Sequence, residues 1–264
     1  MITLVGDTEI AFDDIGSGLP VVFLHAFPLN RTMWEPQIGA LVAECRCIAI
    51  DFRGFGDSLP APPFTVDRYA DDVAAVLDAL QIERAVVVAL SLGGYVAFAL
   101  WRRHRARIRG LVLSNTRATA DSEELIARRL ALIEIARTQG STAVANMQIA
   151  GLMGKSTRDK RPDVYDAMHR MMAQTGVDGI VGGLEAMMAR PDSTETLATI
   201  DMPTLVVVGD EDVITPPKEV RRIHEGIAGS RMEVLRGAGH LANVERPAAF
   251  NTVVSEFLGT LLYN

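Results

Sequence analysis

The sequence predicts an α/β protein: a mostly parallel sheet with helices on both faces and a helical insertion in its second half. Two observations carry this. Short apolar runs rich in β-branched residues alternate with longer helix-periodic segments through the first 116 residues, which is the pattern of successive βαβ units. The alternation stops between about Arg117 and Arg190, where strand-like runs vanish, and resumes from residue 191 to 264. The chain therefore divides into a core first part, 1–116, a helical insertion, 117–190, and a core second part, 191–264.

In order, Met1 to Val5 and Glu9 to Ile15 bracket Gly6-Asp7-Thr8 and read as an antiparallel hairpin at the sheet edge. Val21 to Leu24 is a short apolar strand, Trp34 to Ala43 an amphipathic helix, Cys47 to Ile50 a strand and Val66 to Leu80 a helix. Ala85 to Val88 reads as a buried parallel strand, and Tyr95 to Trp101 as part of the helix that follows it; Gly110 to Leu113 is the next strand. Within the insertion, Ser122 to Gln139 and Asp163 to Gln174 are helical. Seven methionines fall there (Met147, Met153, Met168, Met171, Met172, Met187 and Met188), suited either to an adaptable pocket lining or to filling gaps between helices. Pro203 to Val208 is then a strand, Pro217 to Ile227 a helix, Arg231 to Leu235 a strand and Pro247 to Leu262 a closing helix.

Composition narrows the function classes. At 264 residues and 48% hydrophobic content the chain can bury a large core without disulfides or a structural metal. Cys45 and Cys47 stand too close in sequence for an unstrained bridge and read as reduced thiols of a cytoplasmic protein. No Cys/His group has zinc spacing, so no metal is expected. The net charge of -7, from 26 basic and 33 acidic residues, argues against a nucleic-acid face. No run approaches the roughly 18 apolar residues of a membrane span, and Met1 to Val5 enters a strand without the charged and apolar regions of a secretory signal. Oligomeric state leaves no mark in the sequence.

The chemistry gathers at strand ends, because in open parallel sheets the working groups lie outside the carboxyl ends of the strands. Ser91 follows Ala85 to Val88 and precedes a helix, so it stands where free N–H groups and the helix dipole favour a developing oxyanion. Its setting, Ala89-Leu90-Ser91-Leu92-Gly93, is the strand–turn–helix nucleophile elbow G-x-S-x-G with alanine in place of the first glycine. A serine needs a base. Of five histidines, only His240 both follows the serine and the acid and stands in a glycine-flanked loop at a strand end, Gly237-Ala238-Gly239-His240. His25 belongs to the loop after its own strand, and His104, His169 and His224 lie in helical segments. Among Asp210, Glu211 and Asp212, the third is preferred as the acid that orients the imidazole, because it lies farther beyond the strand end and precedes the rigid Thr215-Pro216-Pro217. The oxyanion donors are then the backbone N–H of Leu92 and, from the loop His25-Ala26-Phe27-Pro28, that of Phe27. Asp51 to Ser58 is glycine-rich but lacks both G-x-G-x-x-G and the phosphate-binding lysine, so no nucleotide cofactor is expected; Asp51 and Arg53 instead fix the loop by hydrogen bonds.

Taken together, His25-Ala26-Phe27-Pro28, Asp51 to Ser58, Ser91-Leu92-Gly93-Gly94, Gly209 to Pro216 and Gly237-Ala238-Gly239-His240 resemble the recurrent blocks of the α/β-hydrolase family, in its order serine, acid, histidine. The resemblance covers nearly the whole chain and implies an eight-stranded, mostly parallel sheet with a lid after the sixth strand. Gln174-Thr175 with Gly176 to Gly183, Ser114-Asn115-Thr116 and His240 to Glu245 resemble 3-oxoadipate enol-lactonases. The histidine-first loop His25 to Leu29 instead resembles aryl esterases and metal-free perhydrolases. A serine at position 91 argues against epoxide hydrolases and haloalkane dehalogenases, which carry aspartate there. The expectation is a cofactor-free serine hydrolase of a small ester or lactone, with perhydrolysis as a variant. A hydrolase-fold binding protein or receptor with little turnover is the alternative from another class.

Overall fold

The computed structural model describes residues 1–262. Eight strands form one sheet in the order β1-β2-β4-β3-β5-β6-β7-β8: β1 Ile2–Val5, β2 Thr8–Gly16, β3 Leu19–Leu24, β4 Cys45–Ile50, β5 Ala85–Leu90, β6 Ile108–Ser114, β7 Thr204–Gly209 and β8 Arg231–Leu235. Only β2 runs against its neighbours, pairing antiparallel with β1 and with β4; every other pairing is parallel. Thr8 already pairs with Val5, so the edge hairpin closes through Gly6-Asp7 alone, with Gly6 at φ 61 supplying the left-handed turn.

Alternate residues along each strand feed two cores, one on each face. Val22, Leu24, Val87 and Ala89 pack with α2 (Val66–Ala79) and α3 (Leu92–His104). Val21, Phe23, Val86 and Val88 pack on the opposite face with α1 (Glu35–Leu41) and with Phe250, Val254 and Phe257 of the closing helix. The helix expected from Trp34 to Ala43 is shorter than its apolar pattern. Arg31–Trp34 forms a 3-10 turn capped by the Asn30 side chain, and α1 starts at Glu35 with Pro36 in its first turn, where the missing N–H costs nothing.

Between β6 and β7 lie α4 (Glu123–Gln139), α5 (Ser141–Leu152), α6 (Lys155–Lys160), α7 (Pro162–Gln174), α8 (Val177–Ala189) and the short α9 (Thr194–Leu197). After β7 come α10 (Pro217–Gly226), β8, α11 (Ala242–Glu245) and α12 (Pro247–Leu262). The inserted helices split between the two cores: α4 and α8 contribute Leu132, Ile133, Ile180, Leu184 and Met187 to one, and α5 and α7 contribute Ile149, Leu152, Met168 and Met172 to the other. Four of the seven methionines (Met153, Met168, Met172 and Met187) are thus buried packing residues, while Met147 is exposed. Helix α8 lies directly on the loop after β4, because Gly179 and Gly182 leave no Cβ where Gly54 and the Phe64 ring stand. Among the described residues no helix is long and apolar enough to cross a membrane.

Candidate active site

β5 ends at Leu90, α3 begins at Leu92, and Ser91 alone makes the turn, at φ 55 and ψ -110. A non-glycine residue held there carries strain of about 1–3 kcal/mol, so the surroundings must impose it. The Ser91 N–H donates to the Ser114 carbonyl at 3.0 Å, and the Ser91 carbonyl accepts from the Gly94 N–H at 2.9 Å and the Thr116 hydroxyl at 2.9 Å. A Cβ on Gly93 would fall 2.2 Å from the Leu24 carbonyl oxygen, and one on Gly94 2.4 Å from the Thr116 hydroxyl. The glycine two residues after Ser91 is therefore required by the passing backbone of β3. The alanine before it is tolerated because the Ala89 methyl lies within the core.

His240 follows β8 and reaches Ser91 across the carboxyl edge of the sheet, and Asp212, which follows β7, reaches His240. The His240 Nε2 is 2.8 Å from Ser91 Oγ, and its Nδ1 is 2.9 Å from Asp212 Oδ2. His240 and Asp212 are buried, whereas Ser91 keeps partial access to solvent. Asp212 Oδ1 accepts the Ile214 and Thr215 N–H groups at 2.8 and 2.9 Å; Oδ2 accepts the Thr215 hydroxyl at 2.6 Å and the Asn115 amide at 2.8 Å. Burial alone would raise this carboxyl, but the charge of His240 and the donors from His240, Thr215 and Asn115 outweigh it, and the group sits well below the ordinary carboxylate range. Its two neighbours are occupied elsewhere. Asp210 accepts the Gly237 N–H at 2.7 Å, and Glu211 binds the N–H and hydroxyl of Ser156.

Asn115 and Thr215 were not singled out as functional by sequence reasoning. Asn115 sits at φ 48 just beyond β6, and its amide donates to Asp212 and, at 3.1 Å, to the Gly239 carbonyl, tying the acid loop to the histidine loop. The strand-end rule that selected the other groups also applies to β6, and asparagine tolerates the left-handed backbone such a corner needs. That was the available signal.

The other four histidines are engaged elsewhere. His25 is fully buried, and burial pushes its imidazole below the ordinary value. In that neutral form Nε2 accepts the Phe52 N–H at 3.0 Å while Nδ1–H donates to the Ala26 carbonyl at 2.9 Å. His104 pairs with Asp71, His169 with Asn146 and His224 with Ser230. The loop fixed by His25 presents Phe27. Neither the Phe27 N–H nor the Leu92 N–H, which opens α3, donates to another protein group among the described residues, so both are free for a ligand oxygen. The Phe27 ring packs edge-on to Phe55, with centroids 6.2 Å apart, and under Gly183 of α8.

Asp51 and Arg53 hold their loop as expected: Asp51 accepts the Arg31 and Asp57 N–H groups at 2.7 and 2.9 Å, and Arg53 makes a bidentate pair with Asp72 at 2.7 Å. Cys45 and Cys47 are free, buried thiols, the latter pushed up to about 12 by burial, which leaves it unreactive at neutral pH. Among the described residues no group of three or more His, Cys, Asp or Glu side chains is arranged to hold a metal ion.

This fold, with a serine, a histidine and an acid at consecutive hydrogen-bond distance on the carboxyl edge of the sheet, is that of a hydrolase. Residues 20–247 match the model of the alpha/beta hydrolase fold family, and the chain belongs to that family. It is 30% identical over 235 residues to 3-oxoadipate enol-lactonase 2 of Acinetobacter baylyi, an alignment covering 89% of this chain and 86% of that protein. Among solved structures it resembles a thermophilic esterase from Thermogutta terrifontis, with TM-score 0.94, 39% identity and coverage of 96% and 94% of the two chains. It also resembles the enol-lactonase from Burkholderia xenovorans LB400, with TM-score 0.91, 31% identity and coverage of 98% and 100%. Proteins of both names are carboxylic ester hydrolases.

Proposed function

We propose that the protein is a cofactor-free carboxylic ester hydrolase that opens a small ester or lactone through an acyl-enzyme on Ser91, with residues 117–190 acting as a lid over the site. The observation that carries this reading is the unbroken relay Ser91 Oγ, His240 Nε2, His240 Nδ1, Asp212 Oδ2, at 2.8 and 2.9 Å. Because Asp212 accepts the Nδ1–H, Nε2 is left as the basic nitrogen facing Ser91. As Ser91 Oγ bonds to the carbonyl carbon, His240 Nε2 takes its proton, and the carbonyl oxygen becomes an oxyanion held by the Phe27 and Leu92 N–H groups. Each such donor is worth about 3 kcal/mol of transition-state stabilisation. Collapse breaks the bond to the leaving alkoxide, which takes the proton from His240. For a lactone that alkoxide stays tethered to the acyl chain. A water molecule gives its proton to His240 and attacks the acyl-enzyme, and the second collapse returns the proton to Ser91 Oγ and releases the acid.

Turnover of p-nitrophenyl acetate and of small lactones tests the reading. Ser91→Ala is expected to lose about 10,000-fold or more in kcat/KM, and a fluorophosphonate is expected to add once, at Ser91, by intact mass. An unchanged rate in Ser91→Ala overturns the nucleophile. A folded wild type that neither turns over nor labels points instead to a binding protein.

A further inference from the structure

Glu245 is a buried carboxylate at the end of α11, outside the relay. Its Oε1 accepts the Gly239 N–H at 2.9 Å and the Leu241 N–H at 3.2 Å, the two amides that flank His240. Its Oε2 accepts the Gly154 N–H at 2.8 Å, from the turn between α5 and α6. Between them, the His240 N–H donates to the Leu152 carbonyl at 3.0 Å. Three consecutive amides of the histidine loop are thus bound, two by one carboxylate and one by the insertion, and the same carboxylate reaches the insertion with its other oxygen. Back-bonding to Leu241 could be local helix capping, but Gly239 and Gly154 lie outside α11. The groups around the carboxylate are donors, which suits the anion. Burial pushes this carboxyl up, against the opposing pull of the Thr157 side chain and of these three N–H groups.

The backbones are close enough that side chains are excluded. A Cβ on Gly239 would lie 2.1 Å from the Gly154 nitrogen, and one on Gly154 would lie 2.7 Å from the Gly239 nitrogen. Two residues beyond Gly154, Ser156 binds Glu211 beside the acid Asp212, so the same short turn also holds the acid loop.

We propose that Glu245 is a positioning residue for His240: it clamps the backbone on both sides of the imidazole to the turn at Gly154, so that seating of the insertion and alignment of the base are one event. This rests on the reading of Ser91 and His240 as nucleophile and base. Glu245→Gln keeps the shape and one carbonyl oxygen but sets an amide N–H₂ against one of the donors. Glu245→Leu leaves all three N–H groups unpaired.

The test compares wild type, Glu245→Gln and Glu245→Leu in kcat, KM and the second-order rate of fluorophosphonate labelling at Ser91. The downfield proton resonance of the His240–Asp212 bond is followed in parallel. Because misplacement of a base by a fraction of an ångström slows proton transfer, kcat is expected to fall about 10-fold in Gln and about 100-fold in Leu. Labelling should fall by the same factors, with KM little changed and the resonance shifted or broadened. Wild-type kcat, labelling and resonance in a folded Glu245→Gln overturn the proposal, as does a rise in KM alone, which would mark a role confined to the lid. Should Glu245→Leu fail to fold, the isosteric Gln decides. Failure of the wild type itself to label overturns the hydrolase reading, a result separate from the behaviour of the variants.

Discussion

All six residues of β5 and all six of β7 are buried, whereas α4, seventeen residues long, buries only Leu132, Ile133 and Ala136. The sheet is held by apolar contact on both faces, so its strand ends are fixed points for the chemistry. The inserted helices meet the site loops by close packing of α8 on Gly54 and Phe27 and through polar contacts: Thr175 donates to the Pro28 carbonyl at 2.8 Å, Gly154 meets Glu245, and Ser156 meets Glu211. One region supplies apolar support on both faces, and the other adds polar ties to the loops.

The contrast can be broken at its strongest point first. His240→Ala is expected to lower kcat/KM by about a million-fold, because the relay acts as a unit. Activity within about 100-fold of wild type would assign the base elsewhere. Asp212→Asn removes the acceptor that fixes the imidazole tautomer, and a loss of about 10,000-fold is expected from steady-state rates. Its effect on stability has a defined pH dependence. The folded carboxyl is held below its ordinary value, so its contribution is fully present above about pH 5 and is lost as the pH falls through the acid range. Urea midpoints of wild type and Asp212→Asn should therefore converge on acidification. Parallel midpoints at every pH would contradict that.

Smaller effects sharpen the comparison between regions. Leu113→Ala, in buried β6, should cost about 2–5 kcal/mol in urea unfolding. Leu130→Ala, on the exposed side of α4, should change stability by no more than about 0.5 kcal/mol. Equal costs at the two positions would mean that the insertion is as tightly integrated as the sheet.

The same contrast explains what was legible in the sequence. Strands buried on both faces appear as uninterrupted apolar runs, and the residues just past them, Ser91, Asp212 and His240, can be ordered along one edge from the sequence. Asn115 was less legible as a functional group because an asparagine at a corner has many ordinary uses. Glu245 was legible only within a stretch resembling enol-lactonases, since its partners Gly154 and Gly239 are far from it or backbone-only. The methionines gave no clue to their own placement: their spacing fits a pocket wall as well as it fits the helix contacts they make. Hydrogen bonds to backbone N–H groups leave no side-chain pattern to read.

The insertion leaves and rejoins the core at one neck. The Ser193 N–H donates to the Ala118 carbonyl at 2.8 Å, Arg190 reaches the Thr119 carbonyl at 2.8 Å and pairs with Asp121, and the Ala120 N–H meets Asp192 at 3.1 Å. Seen from the sheet, some seventy residues enter and leave through one stitched neck, while their helices pack into the cores on both faces. Transplanting a cap from another hydrolase would thus mean matching two ends, the packing of α8 on the loop after β4, and, at Gly154 and Ser156, the right amides for Glu245 and Glu211. Chimeras joined only at the neck should fold more readily than they turn over.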